Sequence, residues 1–188
     1  MLPTVILLGD QLPGAELADA LSVGTEMIVL LDGSSPNNWN VLSSKAPVTE
    51  FDHLALATDE LMRAYGGADS VIACLDRWDE LGPAPSSPIA GLRILLSLFA
   101  HRRGGTLILV TCSNTNTACS GTARAAATLR GIIAVRGLGV RVIVVKLRPF
   151  TGRVAGDGGG LALQLAAVVL DPTAIEGDEI VLEADDRP

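Results

Sequence analysis

Six short runs rich in Val, Leu and Ile recur along this chain, and their spacing decides what it can fold into. They are TVILL at Thr4 to Leu8, MIVLL at Met27 to Leu31, VIACL at Val71 to Leu75, TLILV at Thr106 to Val110, VRVIVVK at Val140 to Lys146 and EIVLE at Glu179 to Glu183. Most are continuously apolar rather than alternating, which is the pattern of strands buried on both faces. Helical patterns separate them: Ala15 to Leu21, Phe51 to Tyr65, Ile89 to His101, Thr122 to Val135 and Leu161 to Leu170. The second of these carries Leu54, Leu56, Leu61 and Met62 and is closed by Gly66-Gly67, a helix stop. Strand and helix thus alternate about every 30 residues, the signature of an α/β, Rossmann-like, doubly wound parallel sheet flanked by helices. Aromatic residues make up only 3% of the chain, so the core has to be built from Leu, Val, Ile and Ala.

At 188 residues the chain is long enough to bury a core and short enough to form a single domain, 1–188, with no internal repeat. Three polar or Gly/Pro-rich stretches read as loops: Gly33 to Asn40, LGPAPSSP before Ile89, and TGRVAGDGGG from Thr151 to Gly160. Ile89 to His101 is apolar around almost its whole circumference, and Thr122 to Val135 is apolar on more than one side. Such helices are expected to be covered on two sides.

The charge is segregated along the chain. Residues 1–80 hold 13 acids and 3 bases, residues 81–156 hold no acid and 10 bases, and residues 157–188 hold 8 acids and 1 base, giving the net −7. The basic block does not read as a nucleic-acid surface, because its arginines are spread singly through apolar helices without interleaved aromatics. Charge complementarity, within the fold or between subunits, is the expected meaning. Cys74, Cys112 and Cys119 match no metal-ligand spacing and are expected to be reduced, small and partly buried, and His53 and His101 have no patterned partners. No metal site is expected. No apolar run approaches the ~20 residues that a bilayer-spanning helix needs. Met1 to Gly9 has no basic leader segment, so the expected compartment is the cytoplasm.

The stretch GTLILVTCSNTNTACSGTARAAATLRGIIAV, Gly105 to Val135, resembles the active-site segment of the short-chain dehydrogenase/reductase family, in which a strand ends in serines and a helix opens with Tyr-x-x-x-Lys. The likeness runs in order along nearly the whole chain. Val48-Thr49-Glu50 resembles the family's Asp-Val-Thr-Asp after its third strand, and Gly66-Gly67-Ala68-Asp69 its Gly-Gly-Leu-Asp before the fourth. ALQLAAVVLDPTAIEGDEIVLEAD, Ala162 to Asp185, resembles its closing helix, loop and strand.

What the resemblance implies about chemistry is mostly loss. Cys119 stands where the tyrosine belongs and Ala123 where the lysine belongs, so the phenol and the ammonium that lowers its pKa are both missing. Ser113 matches the catalytic serine, but it also reads as a turn hydroxyl or helix cap. The glycine-rich first turn is reduced to Leu8-Gly9-Asp10-Gln11-Leu12-Pro13-Gly14-Ala15, where only Gly9 keeps its place. There Pro13 removes a backbone donor and Asp10 adds negative charge beside the pyrophosphate position. Asp32 matches the acid that binds the cofactor ribose. The asparagine-rich turn after the fourth strand reads Ala73-Cys74-Leu75-Asp76, and the substrate loop after the sixth is shortened to the linker around Thr151 to Gly160.

The leading expectation is a non-catalytic subunit without a cofactor. It forms a homo-oligomer, or a hetero-oligomer with an active short-chain dehydrogenase/reductase, through helices 89–101 and 122–135, which form a four-helix dimer interface in the resembled family. Three readings stand beside it: a cofactor-independent cyclase or lyase using the cleft around Ser113, Cys119 and Asp76, a residual NAD(P)-dependent oxidoreductase, and a sensor that binds a nucleotide without turning it over.

Overall fold

The structure is a computed structural model describing residues 4–8, 14–25, 27–31, 41–44, 51–74, 88–102, 104–111, 116–148, 158–171, 173 and 178–183. Along the chain run β1 (Thr4–Leu8), α1 (Gly14–Leu21), β2 (Met27–Leu31), β3 (Val41–Ser44), α2 (Phe51–Tyr65), β4 (Ser70–Cys74) and α3 (Pro88–Leu95). A 3-10 turn (Leu96–Phe99) follows, then β5 (Gly105–Thr111), α4 (Asn116–Arg136), β6 (Val140–Arg148), α5 (Gly158–Leu170) and β7 (Glu179–Glu183). The seven strands form one sheet in the order β3-β2-β1-β4-β5-β6-β7, and every pairing is parallel. This is the Rossmann-like doubly wound sheet that the alternation predicts.

Period-two alternation in the strands creates two cores. Val71, Ala73, Leu107, Leu109, Val142 and Val144 point to one face, where they meet Leu92, Leu95, Leu96, Leu98 and Phe99 and, from α4, Ala125, Ala126, Leu129 and Ile133. Ile72, Cys74, Ile108, Val110, Ile143 and Val145 point to the other, against Leu17, Ala18 and Leu21 of α1 and Leu165, Ala166 and Val169 of α5. Because both faces are covered, each central strand must be apolar at every position, which is why the runs in the sequence are continuous. Cys74 is reduced and buried.

Several boundaries differ from the sequence expectation. The helix expected over 89–101 is α3 followed by the 3-10 turn, and it has an outward face: Arg93, Ser97 and Ala100 are exposed. The helix expected over 122–135 starts six residues earlier, at Asn116, because Asn, Thr and Ser, which read as loop residues, are accommodated in a first turn. It ends in a Schellman motif, with Gly137 at φ 64°, Leu138 N–H donating to Ile133 O at 3.1 Å and Gly137 N–H to Ala134 O at 3.3 Å. The glycines at 158–160 open α5 rather than closing a loop. The residue pattern of Val41–Ser44 predicts no strand, since VLSS is short and half polar. It is one of the two edge strands, with β7 at the other edge.

Gly66-Gly67-Ala68-Asp69 has a structural role that its geometry explains. Gly66 caps α2 in the left-handed region, and its N–H donates to Met62 O at 3.0 Å. Ala68 N–H donates to Leu98 O at 2.9 Å, tying the 3-10 turn to the start of β4. Asp69 then joins three strands: its carboxylate accepts from Thr4 N–H at 2.8 Å, its own N–H donates to Thr4 O at 3.0 Å, and its carbonyl accepts from Thr106 N–H at 2.9 Å. Arg102 stands beside it at 3.8 Å and donates to Tyr65 O at 3.2 Å. Thr4 is buried, so Asp69→Ala leaves its N–H without this acceptor. A loss of about 1–2 kcal/mol is expected in urea melts, with Asp69→Asn recovering part of it.

Candidate functional site

In open parallel sheets a ligand crevice forms beyond the carboxyl ends of the strands, where the strand order reverses. Here the reversal lies between β1, whose connection through α1 runs to β2, and β4, which pairs with the other side of β1. The register brings Leu8 level with Leu31 on one side and Ala73 on the other, and Cys74 level with Val110. Thr111 closes β5, is fully buried, and lies level with Lys146 of β6. The carboxyl ends of β1, β2, β4 and β5 therefore lie side by side at this reversal.

The residues singled out from the sequence fall mostly outside the described residues. Gly9 follows Leu8, Asp32 follows Leu31 and Ser113 comes two residues after Thr111, but all three lie outside the described residues, as do Cys112 and Asp76. Cys119 falls in the first turn of α4, and its side chain is outside the described set. Ala123 is one turn further on and exposed. At Ala123 an exposed methyl supplies no proton and no charge.

Among the described residues there is no group of His, Cys, Asp and Glu arranged to hold a metal, and no helix is long and apolar enough to cross a membrane. Two grooves on the described surface lie elsewhere. One, of about 440 Å³, is lined by Arg130, Leu138, Val140, Arg141 and Asp178; Val140 and Asp178 place it at the amino ends of β6 and β7. There Asp178 accepts from Arg141 Nε at 3.4 Å and lies 3.6 Å from Arg130 Nε, while Arg130 Nη2 also donates to Val142 O at 2.9 Å. These contacts fasten α4 to β6 and to the start of β7, and Lys146 pairs with Glu179 further along the same two strands. The second groove lies on the outside of α3 and α4.

Sequence reasoning missed Asp69 as the tie between strands and Asp178 as the partner of Arg130 and Arg141. The second was detectable in part, since the central block contains ten bases and no acid and must find its carboxylates elsewhere.

A seven-stranded parallel sheet in this order, with its reversal between β1 and β4, defines the Rossmann-like class of α/β proteins. Within that class the chain has the fold of the short-chain dehydrogenases. It superposes on a short-chain dehydrogenase from Leptospira borgpetersenii with bound NAD+ with a TM-score of 0.68, at 14% identity over 98% of this chain and 92% of that one. A short-chain dehydrogenase from Streptomyces avermitilis gives 0.67 at 15% identity, covering 97% and 88%. A short-chain type dehydrogenase/reductase from Mycobacterium ulcerans gives 0.66 at 12% identity, covering 96% and 88%. No protein-family model matches the chain, and no curated protein matches it by sequence.

Proposed function

We propose that this chain is a non-catalytic, short-chain-dehydrogenase-like subunit: a single Rossmann-like domain that oligomerises and stabilises or regulates an active dehydrogenase/reductase partner. The observation that carries the reading is α4. α4 carries Cys119 and Ala123, and the resemblance aligns these two residues with the family's tyrosine and lysine. A thiol and a methyl do not reproduce a phenol whose pKa is lowered by a neighbouring ammonium. The altered first turn, with Pro13 and Asp10 after Gly9, argues in the same direction for the pyrophosphate.

The test is turnover. With NADH or NADPH and a panel of aldehydes and ketones, the purified chain is expected to oxidise the nicotinamide at least about 10²–10⁴-fold more slowly than a family member with an intact Tyr-x-x-x-Lys pair, the contribution of general acid–base catalysis. Turnover at the rate of such an enzyme would overturn the reading. Native mass spectrometry of the chain from its host, recovering a dehydrogenase at fixed stoichiometry, would support it.

A second reading is retained nicotinamide binding, as a residual oxidoreductase or a nucleotide sensor. It is supported by Asp32 after β2 and by the NAD+ in the Leptospira relative. Saturable quenching of NADH fluorescence, lost in Asp32→Ala, would favour it over the first.

A further inference from the structure

Among the described residues, the acidic block at the end of the chain meets the basic block before it at the seam between β6 and β7. Residues 157–188 hold 8 acids, and residues 81–156 hold 10 bases and no acid. Just before β7, Asp178 lies 3.6 Å from Arg130 Nε and accepts from Arg141 Nε at 3.4 Å. Glu179, the first residue of the strand, pairs with Lys146 of β6. The main chain follows the same line: Asp178 O accepts from Val144 N–H at 2.8 Å and from Arg130 Nη2 at 3.2 Å.

Apolar packing holds β7 less firmly than the central strands. In β4, Val71, Ile72 and Ala73 are completely buried, and so are Leu107, Ile108, Leu109 and Val110 in β5. In β7, Ile180 and Leu182 are only partly buried against the α1/α5 core. Glu179 and Val181, which alternate with them, are exposed, Val181 to 41%. The strand also pairs with a neighbour on one side only. Burial of apolar area is therefore a small part of what keeps β7 in place.

The three ion pairs at this seam are of the kind that salt weakens. Their side chains are between 28% and 52% exposed, so each contributes little alone and is screened once the Debye length falls to a few ångströms. All three oppose the same opening, because each joins the start of β7 to α4 or β6.

We propose that β7 is a salt-released strap: it leaves the sheet by a local opening, ahead of global unfolding, and the charges of Asp178 and Glu179 set how often. Opening bares the edge of β6 with its row of main-chain donors and acceptors, so exposure of a sheet edge is coupled to ionic strength. The inference is independent of whether the chain turns over a nicotinamide.

The test is amide hydrogen exchange of the full chain at about 50 mM and about 500 mM sodium chloride, with rates corrected for an unstructured peptide in the same buffers. The amides of β7 that are protected at low salt are expected to exchange about three- to ten-fold faster at high salt, while those of β4 and β5 do not change. In Asp178→Asn and in Glu179→Gln the low-salt rate rises toward the high-salt rate of the natural chain, and the response to salt shrinks. Ile180→Ala removes apolar contact and no charge, so it speeds exchange and keeps the response. If a variant does not fold, the salt comparison on the natural chain decides by itself. Exchange of β7 that is insensitive to salt would overturn the proposal, as would β7 amides that exchange only together with those of β5.

Discussion

Gly67→Ala is expected to destabilise the protein by roughly 4 kcal/mol, a large share of the ~5–15 kcal/mol typical of a domain. Gly67 sits at φ 113°, and a Cβ built there lies 2.2 Å from the Leu98 carbonyl oxygen and 3.3 Å from its carbon. That carbonyl is not free to move away, because it accepts the Ala68 N–H at 2.9 Å. Backbone strain and a collision with backbone therefore add at one position. Gly66 provides the control: it also has positive φ, 69°, but nothing lies within 4 Å of its Cβ. Gly66→Ala should show only the left-handed penalty of ~1–2 kcal/mol. Urea titrations of the two variants followed by far-UV circular dichroism compare them directly. Equal losses would show that the approach of the 3-10 turn to Gly67 is not what the glycine serves.

The second large effect is expected at Phe99, the bulkiest fully buried side chain among the described residues. It belongs to the core formed by α2, α3, α4 and β4 to β6, and its ring passes so close to Gly105 that a Cβ there would lie 2.3 Å from it. Phe99→Ala removes that ring from a space bounded by backbone, which cannot collapse to fill it. A loss of about 3–5 kcal/mol is expected from transfer and cavity terms together. Phe99→Leu keeps most of the volume and should recover more than half of the loss. Thermal unfolding by calorimetry measures both, and a Phe99→Ala variant within ~1 kcal/mol of the natural chain would refute the packing described here.

These two positions show why some of the molecule could be read in one dimension and some could not. The continuous apolar runs predict a sheet covered on both faces, because a strand buried on one face only has to alternate. The limits of α2 follow from its periodicity and its Gly-Gly stop, and they agree with the structure at both ends. Val41–Ser44 has no comparable signal: an edge strand pairs on one side only and needs little apolar surface. The start of α4 and the 3-10 tightening after Leu95 are likewise set by contacts with other elements, against weak local preference.

The candidate site divides the same way. The order of the apolar runs is enough to place Gly9, Asp32 and Ser113 after strands that end at one side of the sheet, and Cys119 and Ala123 on one helix. The reading of Cys119 and Ala123 in place of a phenol and an ammonium rests on the resemblance and belongs to the proposed function. That β1 and β4 meet, so that the ends of β1, β2, β4 and β5 lie side by side, is a consequence of strand order.

Composition and local period are enough to set the layered architecture, the aliphatic character of the core and the separation of charge into acidic and basic blocks. Only the tertiary structure decided which charges meet. It brings Asp178 to Arg130 and Arg141 and Asp69 to Thr4, while among the described residues Arg93, Arg124 and Arg136 have no carboxylate partner. Pairing across 37 or 65 residues is set by the order and register of the strands, which no local pattern encodes.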